Sequence, residues 1–153
     1  MEQLLETWAI HNRINLYLLA AIKPEALNSV SASKGRNVAE QFAHMHNVRL
    51  MWLKAAAPEL MKRLARIEKN EAPDKALLNR SLDDSGRAIA ALLEKGAAAG
   101  GKIKGFKPHA GAFLGYLISH ESHHRGQILL TLKQAGHPVD KKTAYGIWEW
   151  GVR

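Results

Sequence analysis

Apolar residues recur at helical spacing in four segments, each bounded by a proline or glycine break, and this pattern leaves few folds open. From Gln3 to Ile22 the apolar positions include Leu4, Leu5, Trp8, Leu16 and Leu19. Lys23-Pro24 ends that segment, because the residue before a proline is pushed out of the α region. A second helix is predicted to start at Asn37, an N-cap residue with Glu40 three positions on, as in a capping box. It runs through Trp52 to about Ala57 and stops at Pro58. Residues 59–70 read as a short basic helix and a connector. Ala72-Pro73-Asp74 opens a third helix carrying Leu77, Leu78, Ile89, Leu92 and Leu93. A glycine- and lysine-rich break covers residues 96–105. Pro108 opens a fourth helix, which ends near Gly136-His137-Pro138, since glycine followed closely by proline is a stop signal. Strand-like alternation is nearly absent. The expected class is therefore all-α, a four-helix bundle with antiparallel or mixed connections.

Length and composition narrow the chemistry. A chain of 153 residues, 46% hydrophobic and 24% charged, is expected to form one domain over residues 1–153. With no cysteine, it has no disulfide, thiolate metal site, iron–sulfur cluster or cysteine nucleophile. The start, Met1-Glu2-Gln3-Leu4-Leu5-Glu6, is acidic where a signal peptide would be basic. The longest apolar runs fall short of the roughly 20 residues that a bilayer span needs. A cytoplasmic protein without a membrane anchor is the expectation. The unusual feature is eight histidines, the commonest metal ligand and the side chain that titrates near neutrality.

Three of those histidines fall within His120-Glu121-Ser122-His123-His124-Arg125-Gly126-Gln127. His120 and His124 are four apart on a predicted helix, so both rings leave one face. Two imidazoles at the edge of an apolar stripe can hold a divalent ion if another helix supplies a third ligand. The same residues spell His-Glu-x-x-His, in which two histidines bind zinc and the glutamate is a general base. The longer peptidase pattern fails at Gln127, and no substrate-binding strand edge is visible. Glu121 falls on the apolar side of the helix and is placed to pair with Arg125 four residues on. Glu149 is the other acid to consider as a ligand. Gly96, Gly101 and Lys102 imitate part of a phosphate-binding loop, but Ile103 replaces the hydroxyl residue and the segment follows a helix, not a strand. It reads as an interhelix loop.

The second helix offers His44 and His46, which point about 200° apart and cannot both face one ion. Periodicity does not choose between them. His11, His109 and His137 are weaker candidates, the last two lying at predicted helix ends where a histidine caps or faces water.

His120 to Gln127, read as His-x-x-His-His-Arg-Gly-Gln, resembles the signature of the DinB/YfiT-like family. Residues Asn37 to His44, with Trp52 after them, resemble that family's second-helix motif, and Trp8, Asn12 and Gly136 fit its first helix and its last turn. Despite the shared name, this is not the family of DNA polymerases. The resemblance implies a four-helix bundle with one divalent metal, zinc or nickel foremost, held by His44, His120 and His124, with water in the open positions. His46 and His123 lie outside that pattern. It also implies a metal-dependent enzyme, a transferase acting with a low-molecular-weight thiol or a hydrolase, and a homodimer. With no cysteine in the chain, a thiol must arrive as a co-substrate.

Two other functional classes stand beside this one. The ion can be structural or regulatory, without turnover. The net charge of +8 raises nucleic-acid binding, but the basic clusters around Lys54, Lys62, Arg63, Arg66 and Lys69, and at Lys102, Lys104 and Lys107, lack interleaved aromatics or a helix-turn-helix. They read as solvated faces, with attraction of an anionic co-substrate as a further use. Gln127, one turn from His124, reads as a polar residue at the helix edge. Trp148 and Trp150 are expected to cover the end of the bundle or a subunit contact. Neutral imidazoles are required for ligation, so metal affinity is expected to fall below about pH 6.5.

Overall fold

Local sequence signals set the helix starts seen in the computed structural model, which describes residues 1–153. Asn37 Oδ1 accepts from the Glu40 amide and Glu40 Oε2 from the Asn37 amide, both at 2.8 Å, closing the expected capping box. Asp74 Oδ1 accepts from Leu77 N–H at 2.7 Å and starts the third helix. His109 Nδ1 accepts from Ala112 N–H at 3.1 Å and starts the fourth. The elements are α1 (Glu2–Ala21), α2 (Val38–Ala56), α3 (Lys75–Ala98), α4 (Ala110–Gln134) and a short α5 (Lys141–Gly146), with 3-10 turns at Pro24–Asn28, Pro58–Met61 and Trp150–Val152. The chain is all-helical, and no helix is long and apolar enough to cross a membrane.

Helices α1 and α2 each pack against both α3 and α4, so α1 lies diagonally across from α2. Two apolar clusters fill the interior. One joins Ile14 and Leu18 of α1 to Phe42 and Met45 of α2, Leu78 and Leu82 of α3, and Ile128 and Leu132 of α4. The other joins Trp8, Leu50 and Leu53, Ile89 and Leu93, and Phe113 and Leu117. The first takes the C-terminal halves of α1 and α4 and the N-terminal halves of α2 and α3. Helices α1 and α4 therefore run one way and α2 and α3 the other. The mixed arrangement, not the fully antiparallel one, is what the chain adopts.

Parallel α2 and α3 require the intervening chain to travel back along the bundle. This explains why residues 59–70 do not form the expected basic helix. At ~1.5 Å per residue a helix would fall short, whereas extended chain covers ~3.3 Å per residue. Side chains of α2 hold the returning backbone. Asn47 Nδ2 donates to Ile67 C=O at 2.8 Å, Ile67 N–H donates to Asn47 Oδ1 at 3.0 Å, and His46 Nε2 lies 2.9 Å from Ala65 C=O.

Between the two apolar clusters lies a polar layer at one level of all four long helices. Glu121 of α4, fully buried, accepts from Arg49 of α2 through Nε at 2.6 Å and Nη2 at 2.8 Å. Its Oε2 also accepts from Asn15 Nδ2 at 2.7 Å and lies 2.9 Å from His11 Nε2, both on α1. Arg49 Nη1 donates to Leu82 C=O of α3 at 2.7 Å. Glu121 thus pairs with Arg49, not with Arg125, which donates to Asn15 and Ser122 instead. At the same level α1 and α3 approach closely. Trp8 Nε1 donates to Gly86 C=O at 2.8 Å, and a Cβ on Gly86 would sit 2.5 Å from Asn12 Nδ2. Gly86→Ala is therefore expected to destabilise by about 1–2 kcal/mol, overpacking outweighing the gain in helix propensity. Gly115→Ala, where nothing lies within 4 Å, should stabilise by about 0.5–1 kcal/mol. Urea midpoints moving the same way for both would contradict this.

The C-terminal tail divides. Trp150 packs onto the first cluster, while Trp148 is 77% exposed.

Candidate metal centre

Opposed directions of α2 and α4 bring His44 against the one-turn pair His120 and His124. Ring centroids are 5.3 Å apart for His44 and His120, 4.6 Å for His44 and His124, and 4.6 Å for His120 and His124. One nitrogen from each ring lies within 4.8 Å of the others. A nitrogen–metal bond of about 2.1 Å sets N···N separations of about 3.0–3.5 Å. Small rotations of His44 and His120, both partly exposed, cover the difference.

The surroundings select the protonation state and ring orientation that ligation needs. His124 Nδ1–H donates to Gln41 Oε1 at 2.6 Å, which leaves Nε2 with its lone pair free. Gln41 Nε2 donates in turn to Gln127 Oε1 at 3.1 Å, and Gln127 Nε2 donates to His123 Nε2 at 3.0 Å. His120 Nδ1 is buried without any hydrogen-bond partner, an orphaned nitrogen of the kind a bound ion would satisfy. Burial is the main cause that pushes His44 down to about 4, with the charge of Arg36 adding to it. Burial likewise takes His124 to about 4, with His120 and His44 adding to it, and lowers His120. All three rings are neutral at pH 7. Three neutral imidazoles with one orphaned nitrogen fit a divalent ion.

These shifts fix the sign of a stability effect. Between about pH 6.5 and about pH 4 the unfolded chain takes up protons at His44 and His124 that the folded chain refuses. The metal-free protein should have its full stability above about pH 6.5 and lose it progressively as pH falls toward 4. Urea midpoints measured with a chelator from pH 7.5 to 4.5 check this. A His44→Gln, His124→Gln double variant should reduce the dependence, leaving the part due to His11, His46 and His120, which burial also lowers, and an unchanged slope would contradict the assignment.

The remaining candidates are placed elsewhere. His46 is buried against the returning backbone, and its ring nitrogen serves Ala65. His123 is exposed, and His109 is the α4 N-cap. His11 is fully buried against Glu121, and His137 is exposed beyond α4. Glu149 pairs with Arg153 at 3.2 Å. Glu121 turns into the core to meet Arg49, so the peptidase pattern lacks its general base. Gln41 is the site residue that sequence reading missed. The sequence shows only an amide three positions before His44 on α2, and its burial belongs to the fold. Gln127 is exposed at the helix edge and its Oε1 accepts from Gln41.

Two features flank the imidazoles. Tyr116 stacks on His120 with centroids 6.2 Å apart, Trp52 packs edge-on against Tyr116, and Phe106 packs against it at a tilt. On the other side, a cavity of ≈ 750 Å³ opens beside His44, walled by α2 and by the returning segment. That volume lies in the range of small-molecule sites, about 300–1,000 Å³.

Comparison with curated proteins and with solved structures finds no match. Comparison with family models does. The model described as DinB family spans residues 1–149, taking in every helix and all three clustered histidines, and the chain belongs to that family.

Proposed function

We propose that the protein is a metal-dependent enzyme, a thiol-dependent transferase or a hydrolase by type, that holds one divalent ion, zinc or nickel, through His44, His120 and His124. The observation that carries this reading is the open side of the histidine cluster. The three rings converge with no carboxylate among them, His44 and His120 are partly exposed, and His44 also lines the neighbouring cavity. Structural sites are closed by protein ligands, whereas catalytic sites keep positions for water or substrate. A bound ion supplies Lewis acidity there, lowering the pKa of water or thiol at its open positions.

The chain's own residues do the positioning. Gln41 fixes the His124 tautomer, and the Arg49–Glu121 pair sets α2 against α4 and so His44 against the other two rings. Tyr116 lines one flank against His120, with Trp52 and Phe106 packed behind it. The cavity leaves the other flank open to a substrate of moderate size.

Metal analysis of protein purified without an affinity tag tests this reading. About one divalent ion per chain is expected. Thiols paired with electrophilic acceptors, assayed with zinc, nickel and manganese, should show turnover that a chelator abolishes. Absence of any bound ion would overturn the reading. A fourth protein ligand closing the shell would turn it into that of a non-catalytic metal protein.

A further inference from the structure

Four rings, Trp52 of α2, Phe106 of the interhelix loop, and Phe113 and Tyr116 of α4, gather beside His120, neighbouring centroids lying 5.2 to 5.6 Å apart. Phe113 is fully buried in the second apolar cluster, and core packing accounts for it. The other three reach the surface: Trp52 and Phe106 are partly buried and Tyr116 is 37% exposed. Trp52 Nε1 is shut off from water without a hydrogen-bond partner, so ring contacts alone hold the indole. Tyr116 stands one turn before His120 on α4, its ring 16° from the imidazole plane. In a chain 24% charged, α4 carries no charged side chain from Ala110 to Ser119. The aromatic surface is thus continuous with the histidine cluster and uncharged along the helix that presents it.

We propose that Tyr116, backed by Trp52 and Phe106, binds an uncharged aromatic group of the substrate, whose reacting end lies at the three imidazoles. Aromatic rings associate offset-stacked or edge-to-face at about 4.5–7 Å, the spacing that these side chains already keep among themselves. One helical turn, ~5.4 Å, separates Tyr116 from His120, so only a few bonds join the aromatic ring to the reacting atom. An aryl or benzyl electrophile has that shape. The part played by the ion rests on the metal-centred reading, whereas the aromatic surface is measurable without metal.

Acetohydroxamate and benzohydroxamate bring the same chelating head to a metal and differ in the ring. In cobalt-loaded protein the visible cobalt bands report binding of each. The preference for benzohydroxamate should exceed that of cobalt in free solution by about fivefold or more. Lys104 and Lys107 flank Phe106 along the chain, but salt should leave the preference unchanged, because no charge carries it. Tyr116→Ala should return the preference to the free-solution value, and Tyr116→Phe should keep it. In metal-free protein labelled with ¹⁵N at the tryptophans, benzyl alcohol should shift the Trp52 indole signal, assigned through Trp52→Phe. Tyr116→Ala should abolish that shift. If cobalt does not bind, the metal-centred reading fails and the Trp52 signal alone decides the aromatic site. A preference no greater than that of free cobalt, one that survives Tyr116→Ala, or a Trp52 signal that benzyl alcohol does not move overturns the inference.

Discussion

Glu121→Ala is expected to destabilise the protein by about 3–5 kcal/mol. The carboxylate is fully buried and satisfies four donors, two from Arg49 and one each from Asn15 and His11. Its removal leaves Arg49, also fully buried, as an uncompensated charge in the middle of the bundle. The loss is a large part of the ~5–15 kcal/mol that holds a domain folded. Glu121→Gln should cost less than Glu121→Ala, because the amide keeps the shape and one acceptor. A Glu121→Leu, Arg49→Met double variant should recover most of the loss, since replacing both partners of a buried pair with apolar groups is often neutral or better. Urea denaturation of the three variants measures this. A Glu121→Ala loss below about 1 kcal/mol would mean that the pair does not hold the four helices together.

This pair also marks where the sequence stops being readable. The helices were legible because each carries its own start and stop signals: the Asn37 capping box, the Asp74 cap, Pro58 after α2, and Gly136 after α4. The cluster of His120 and His124 was legible because one turn of helix places them together without help from the rest of the chain. His44 was reached through family resemblance, since periodicity on α2 gives His46 equal standing. What separates the two is the returning segment 59–70, which packs on the His46 side of α2 and takes that imidazole for Ala65. Sequence period cannot see such a partner. The partner of Glu121 was hidden for the same reason. Arg125 is its neighbour by helical spacing, whereas Arg49 is its neighbour only once α2 and α4 have packed. The cavity follows from the same returning segment, so it was not available from periodicity either.

The metal site itself should respond in three grades. Even residues that only orient a ligand typically change metal affinity by about 10–100-fold when lost, so Gln41→Leu, which frees the His124 ring, should fall in that range. Each of His44→Ala, His120→Ala and His124→Ala removes a proposed ligand outright and should lower affinity by about a hundredfold or more. His123→Ala and His46→Ala should leave affinity nearly unchanged, although His46→Ala is expected to cost stability because it releases the backbone at Ala65. Competition titration against a chromophoric chelator, on variants shown to be folded by circular dichroism, gives all six values. Loss of binding in His46→Ala with retention in His44→Ala would reverse the α2 assignment. The pH dependence adds an independent reading of the same rings. Sequence alone placed the decline in affinity near pH 6.5, the ordinary value for an exposed imidazole. Burial takes His44 and His124 to about 4, so protons begin to compete with the ion only well below pH 6. Affinity should stay level from pH 7.5 to about 5.5 and fall steeply below about 5. A midpoint near 6.5 would mean that the rings binding the ion are exposed ones, His123 first among them, and not the trio between α2 and α4.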